Sequence, residues 1–174
     1  MWYRFLCMTH SAGLLVIVAL VSTGCASGSG VGLEPLPRPA GPDGDRSAAT
    51  STVRIGLTTT ALQLTGIPYR EGGATPRGFD CSGFTLYVFA QQGISLPRRA
   101  QQQYRAGRSV DVDELGPGDL VFFTTVEPGA SHVGLVIDEG TFVHAPSARG
   151  KVRLEQLSNA YWARRYLGAR RVVE

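Results

Sequence analysis

Hydrophobic and polar positions divide the chain into three regimes. Residues 12–21 are an unbroken apolar run, residues 26–51 are dominated by Gly, Pro, Ser and Ala, and from Val53 onward apolar residues recur at helical or strand spacing. The spacing predicts a helix over Val53–Leu64, stopped by Gly66-Ile67-Pro68. A second helix opens at Cys81 behind Asp80, a residue type suited to the N-cap. Phe84, Leu86, Tyr87, Val88, Phe89 and Ala90 leave it few polar positions before Gln91-Gln92-Gly93, which is the pattern of a helix buried on most sides. Leu96-Pro97 turns the chain into a short polar helix over Arg98–Arg105. Gly116-Pro117-Gly118-Asp119 is a turn signal ahead of a strand, Leu120–Phe123. A second strand, His132–Ile137, passes through the hairpin residues Asp138-Glu139-Gly140 into a third, Thr141–His144. Lys151–Leu154 and Gly168–Val173 have the composition of further strands. Helices first and antiparallel strands afterwards predict an α+β fold, with N-terminal helices packed on an antiparallel sheet.

The first regime reads as an export signal over residues 1–24. Arg4 supplies a basic start, and the apolar run is too short to span a bilayer comfortably. Ser22-Thr23-Gly24-Cys25 resembles the lipobox of bacterial lipoproteins, although Ser22 stands where a branched apolar residue is usual. On that reading Cys25 is the lipid attachment site, carrying acyl chains that hold the protein to a bilayer. Ala26 behind it resembles the sorting signal for the outer membrane, facing a Gram-negative periplasm. An ordinary signal peptide, cut near Ala26 to release a soluble periplasmic protein, is the other reading. Residues 25–52 form the expected tether, with a flexible-chain reach of roughly 25 to 30 Å. Residues 53–174 form the expected single domain.

Charge changes this picture little. The net charge is +3, which suits an anionic polymer, and Arg164, Arg165, Arg170 and Arg171 read as a solvated basic edge. No aromatic interleaving accompanies them, so nucleic acid is not an expected partner. Cysteine usage says more. Cys7 lies in the signal and Cys25 is taken by lipid, which leaves Cys81 as one free thiol in an oxidising compartment.

At the start of a helix the unpaired backbone N–H groups and the positive dipole end favour a thiolate, so Cys81 is the candidate nucleophile. His132 begins one predicted strand and His144 ends the next, so a hairpin brings them to the same end of an antiparallel pair. A cysteine nucleophile needs a base, and the base needs a partner on its other ring nitrogen. One cysteine and two histidines supply that set. The competing constellation is a zinc site, but these spacings lack a local ligand pair, so neither metal nor cofactor is expected.

These residues resemble the NlpC family of papain-like cell-wall cysteine peptidases. Gly66-Ile67-Pro68-Tyr69 with Gly72-Gly73 is similar to its first motif, and Asp80-Cys81-Ser82-Gly83-Phe84 to its nucleophile motif. Leu96-Pro97-Arg98 with Gln103, Pro117 to Phe123, His132-Val133-Gly134-Leu135 and His144-Ala145 follow in the family's order. The resemblance implies a circularly permuted papain-like fold with Cys81 as nucleophile, His132 as base and His144 as the residue that orients it. It also implies that Tyr69 stabilises the oxyanion beside the backbone N–H of Cys81, with Ser82 in the substrate site. The implied activity is a peptidoglycan endopeptidase cutting stem peptides or cross-links next to diaminopimelate. The alternatives are a wall-binding or scaffolding lipoprotein that kept the fold and lost turnover, and an acyltransferase, for which no apolar segment is left to line a lipid groove.

Overall fold

The structure, a computed structural model, describes residues 42–147 and 150–174. The expected export signal, Cys25 and the first part of the tether lie outside the described residues.

Helix α1 runs from Pro42 to Gln63, starting eleven residues before the helix that the apolar spacing predicts at Val53. Residues 44–49 are all exposed, so no periodicity marks them. They are helical for local reasons: Asp45 sits near the positive end of the dipole, and Ala48 and Ala49 are strong helix formers. The second half packs through Leu57 and Ala61, both fully buried. Arg54 ties it to the end of the chain by donating to the carbonyl of Val173 at 2.6 Å. Gly66, at φ +91°, ends this segment in a conformation that a side chain disfavours.

A two-residue hairpin, β1 (Ala74–Thr75) and β2 (Gly78–Phe79), leads into α2 (Cys81–Ala90), followed by the short α3 (Ala100–Gln103). The remaining elements are β3 (Arg108–Val110), β4 (Leu120–Phe123), β5 (His132–Asp138), β6 (Thr141–His144), β7 (Arg153–Gln156), α4 (Ala160–Ala163) and β8 (Tyr166–Arg171). They form one six-stranded antiparallel sheet in the order β3-β8-β4-β5-β6-β7. The α+β expectation holds. β7 starts two residues later than the sequence suggests and β8 two residues earlier, while β3 and α4 are too short to leave a periodic signal.

The central strands are continuous apolar runs because the sheet is covered on both faces. Leu120, Phe122, Val133, Leu135 and Val143 point into the core shared with α1 and α2. Val121, Phe123, Val136 and Phe142 point the other way, into a second core closed by Trp162 of α4. His132 alternates with Val133, and His144 with Val143, so both histidines lie on the Trp162 side. Gly134 stands between them in the pattern, because a Cβ there would meet the Phe142 ring at 2.5 Å.

The C-terminal arginines are not simply a solvated edge. Arg171 forks onto the fully buried Asp119 at 2.8 and 2.7 Å, and Arg170 and Arg165 lie over the rings of Tyr104 and Tyr161.

Candidate active site

Local chemistry around Asp80 sets where α2 begins. Its backbone is extended, and its carboxylate accepts from the Gly83 N–H at 2.7 Å, satisfying one orphan donor of the first turn. Arg98 grips the same carboxylate with both terminal nitrogens, at 3.0 Å to Oδ1 and 2.5 Å to Oδ2, and also donates to Ser82 Oγ at 3.0 Å. Gln103 is fully buried. It donates to the carbonyls of Ser82 and Pro97 at 3.0 and 2.9 Å and accepts from Thr85 at 2.8 Å. The loop that precedes α2 closes over its start: Asp80 N–H donates to Gly73 O at 3.0 Å. A Cβ on Gly83 would lie 2.0 Å from that same oxygen, so only glycine fits there.

This scaffold delivers Cys81, half-buried, against the first residues of β5, with the Val133 backbone amide beside its sulfur. From the opposite face of the sheet come His132 and His144, whose Nε2 and Nδ1 atoms stand 2.7 Å apart. Phe123 flanks His132, and Trp162 stacks on its ring at 5.3 Å and 24° while meeting His144 edge to face at 4.8 Å. The hairpin argument placed the two histidines together, and they are together. Nothing in the sequence pointed to Trp162, because α4 is a single turn whose pattern carries no period.

Electrostatics at the site follow from burial. Desolvation pushes the Cys81 thiol up, the adjacent Asp80 adds to this, and the amides of Val133, Ser82 and Cys81 pull it down less strongly. The expectation of a thiolate favoured by the helix start is therefore corrected: the amides are present, but burial outweighs them. Desolvation also lowers His132 to about 4 and His144 to about 2, with His132 and Arg153 contributing to the latter. Thiol and imidazoles are accordingly all neutral near pH 7. Neutral His132 has one nitrogen engaged by His144, which leaves Nδ1 to take a proton.

Tyr69 borders the same cleft as Cys81, a space of about 620 Å³ that also takes in Asp80, Ser82 and Arg98. Burial and the neighbouring Cys81 raise its phenol, so it stays a donor. The Ser82 hydroxyl is nearly enclosed and engaged with Arg98, which makes it part of the cleft floor. Arg99 and Ala100, where the family often carries small hydroxyl residues, line the same cleft. In the sequence Arg98 and Gln103 are motif residues without a task. The structure supplies one, since between them they hold the turn that carries Cys81.

A cysteine opening a helix that packs on an antiparallel sheet, across from a paired histidine at a strand end, defines a papain-like architecture. A model of the NlpC/P60 family matches residues 66–171. "Probable endopeptidase NlpC" of Escherichia coli is 37% identical over 161 residues, spanning 91% of this chain and 97% of that protein. Murein DD-endopeptidase MepH of Escherichia coli is 43% identical over 117 residues, spanning 64% of this chain but 43% of that longer protein. The crystal structure of an NlpC/P60 family protein from Bacillus cereus superposes with a TM-score of 0.66 at 36% identity, covering 70% of this chain and 40% of that one. This chain belongs to the NlpC/P60 family.

Proposed function

We propose that this protein is an exported cysteine-type peptidoglycan endopeptidase that cuts peptide bonds next to diaminopimelate. The observation that carries the reading is the His132–His144 pair, 2.7 Å apart, with the backbone amide of Val133, the residue after His132, beside the Cys81 sulfur. Family membership and the names of the Escherichia coli relatives support the substrate.

In this mechanism Cys81 Sγ attacks the scissile carbonyl carbon as its proton passes to His132 Nδ1. His132 then carries protons on both nitrogens, and its Nε2–H donates to His144 Nδ1, which requires His144 to hold its own proton on Nε2. The oxyanion is met by the Tyr69 phenol and the Cys81 backbone N–H. Collapse breaks the C–N bond, the His132 proton goes to the leaving nitrogen, and water releases the acyl group from sulfur. Because thiol and imidazole start neutral, attack and proton transfer occur together.

Digestion of diaminopimelate-type peptidoglycan, with fragments read by mass spectrometry, tests this. New fragments are expected from the wild type and none from Cys81→Ala. Fragments of the same kind from Cys81→Ala would sink the mechanism. A folded wild type that releases nothing would turn the assignment to the wall-binding alternative.

Localisation to the outer membrane through acylated Cys25 belongs to the same proposal. Thr23-Gly24-Cys25-Ala26 support it, Ser22 being the one departure, and more than one acyl chain, at about 0.8 kcal/mol per buried methylene, makes such attachment lasting. Metabolic labelling with a fatty-acid analogue is expected to mark the wild type and to miss Cys25→Ser. An unlabelled wild type would leave a soluble periplasmic enzyme.

A further inference from the structure

Two clefts open at the start of β5. Cys81 and Tyr69 border the larger one, whereas His132 and Trp162 border a second of about 320 Å³. The charged and titratable groups on the walls of the second are Arg153 and Glu155, paired at 2.8 Å on β7, and Tyr161 of α4. In the proposed peptidase reaction, on which this inference rests, His132 takes and returns a proton at Nδ1. Its ring must therefore keep one orientation and one tautomer while water stands in the cleft beside it.

Hydrogen bonds alone do not enforce this. His132 Nε2 meets His144 Nδ1, and the chain ends there: among the described residues His144 Nε2 is buried and has no partner. An imidazole bonded through one nitrogen is fixed at a single point, and neither its plane nor its tautomer is set by that contact. Packing has to supply the rest. Trp162, 6% exposed, touches both rings. It lies nearly parallel to His132, at 5.3 Å and 24°, and meets His144 edge to face, at 4.8 Å and 82°. Phe123 and Phe142 complete the surround from the sheet itself, at 6.3 Å from His132 and 5.2 Å from His144. Trp162 is held in its turn. Its N–H donates to Asn159 O at 2.9 Å and its carbonyl accepts from the Arg165 N–H at 3.0 Å, while Arg165 O accepts from the Thr124 N–H at 2.8 Å and so ties α4 to the end of β4.

We propose that Trp162 is the positioning residue of the histidine pair: its ring holds His132 and His144 in one mutual orientation and one tautomer, the part that a hydrogen bond to His144 Nε2 would otherwise play. It acts through His132 and not on the reacting atoms. The groups that face the pair are Cys81 from α2, Arg153 and Glu155 from β7 and Tyr161 from α4, with apolar Phe123 from β4. Desolvation is the leading reason that both imidazoles resist protons, and Arg153 adds to it for His144. Loss of the ring admits water from the cleft and raises the pH at which they charge, with Arg153 still in place.

The test uses purified protein with Trp162→Phe, which keeps a flat ring, and Trp162→Leu, which keeps apolar bulk without one. Nitrogen-15 NMR of the imidazoles, assigned with His132→Gln and His144→Gln, needs no substrate. Wild type and Trp162→Phe are expected to show each ring of the pair in a single neutral tautomer, protonated at Nε2, at pH 7. Mixed tautomers are expected in Trp162→Leu. On a defined stem peptide, Trp162→Leu is expected to lower kcat by about tenfold or more with KM changed less, and to move the acid limb of kcat/KM upward by at least about half a pH unit. Trp162→Met, flexible and likewise without a plane, repeats the comparison if the leucine variant does not fold. Mixed tautomers in wild type, or a single tautomer and an unmoved acid limb in Trp162→Leu, would overturn the assignment and leave the peptidase intact. If wild type cleaves nothing, the peptidase reading falls, and the tautomers still decide whether Trp162 orders the pair.

Discussion

Replacing His132 by alanine is expected to lower kcat/KM by about 10⁴-fold or more at pH 7, with the fold retained. The reason is specific to this site. Burial holds the Cys81 thiol above its ordinary value, so without an imidazole to take the proton almost no nucleophile forms at neutral pH. Raising the pH recovers thiolate, but the leaving amine still lacks its acid, so alkaline conditions restore only part of the loss. His144→Ala is expected to cost less, because it removes the partner that selects the His132 tautomer and leaves the base in place. Steady-state kinetics on a defined stem peptide check both. A His132→Ala enzyme within tenfold of wild type would exclude His132 as the base. A His144→Ala enzyme less active than His132→Ala would reverse the two roles.

Acidification is expected to weaken the fold, and His132 sets the window. In the unfolded chain an imidazole takes up its proton near 6.5, whereas in the folded protein His132 does so only near 4. Between those values the unfolded state binds more protons, so stability is full above about pH 6.5 and falls as the pH drops towards 4. A shift of this size corresponds to about 3 kcal/mol from His132 alone, a sizeable part of a typical domain's stability. His144, lowered for the same reason, acts in the same direction. Trp162 and Phe123 are the physical cause, because they replace water around the rings with apolar surface. Urea midpoints should drop between pH 7 and pH 4.5 in the wild type, and drop less in His132→Gln. Equal drops in the two proteins would mean that other groups carry the acid sensitivity.

Much of the site was legible before the fold. The hairpin Asp138-Glu139-Gly140 between two apolar runs required His132 and His144 to approach, because antiparallel pairing leaves no other arrangement. Asp80 ahead of an apolar helix marked both the helix start and the position of Cys81, and its carboxylate does cap Gly83. Less legible was whatever depends on groups distant in the chain. Arg98 reads from the sequence as the first residue of a short polar helix, and it secures Asp80 and Ser82 sixteen to eighteen residues away. Trp162 and the Arg153–Glu155 pair belong to short elements without a period to read.

The sign of the Cys81 shift shows most plainly where local reasoning stops. A helix start contributes its dipole and amides wherever it lies, and the chain order alone guaranteed those. Whether a thiolate forms depends on how much water reaches the sulfur, and that is set by β5, the closing loop and Asp80 packed around it. Local pattern therefore determined the elements, the place of Cys81 and the pairing of the histidines, because these follow from spacing along the chain. Tertiary packing decided the protonation of the site and the division of the clefts, because solvent exclusion arises only when distant segments close on one another.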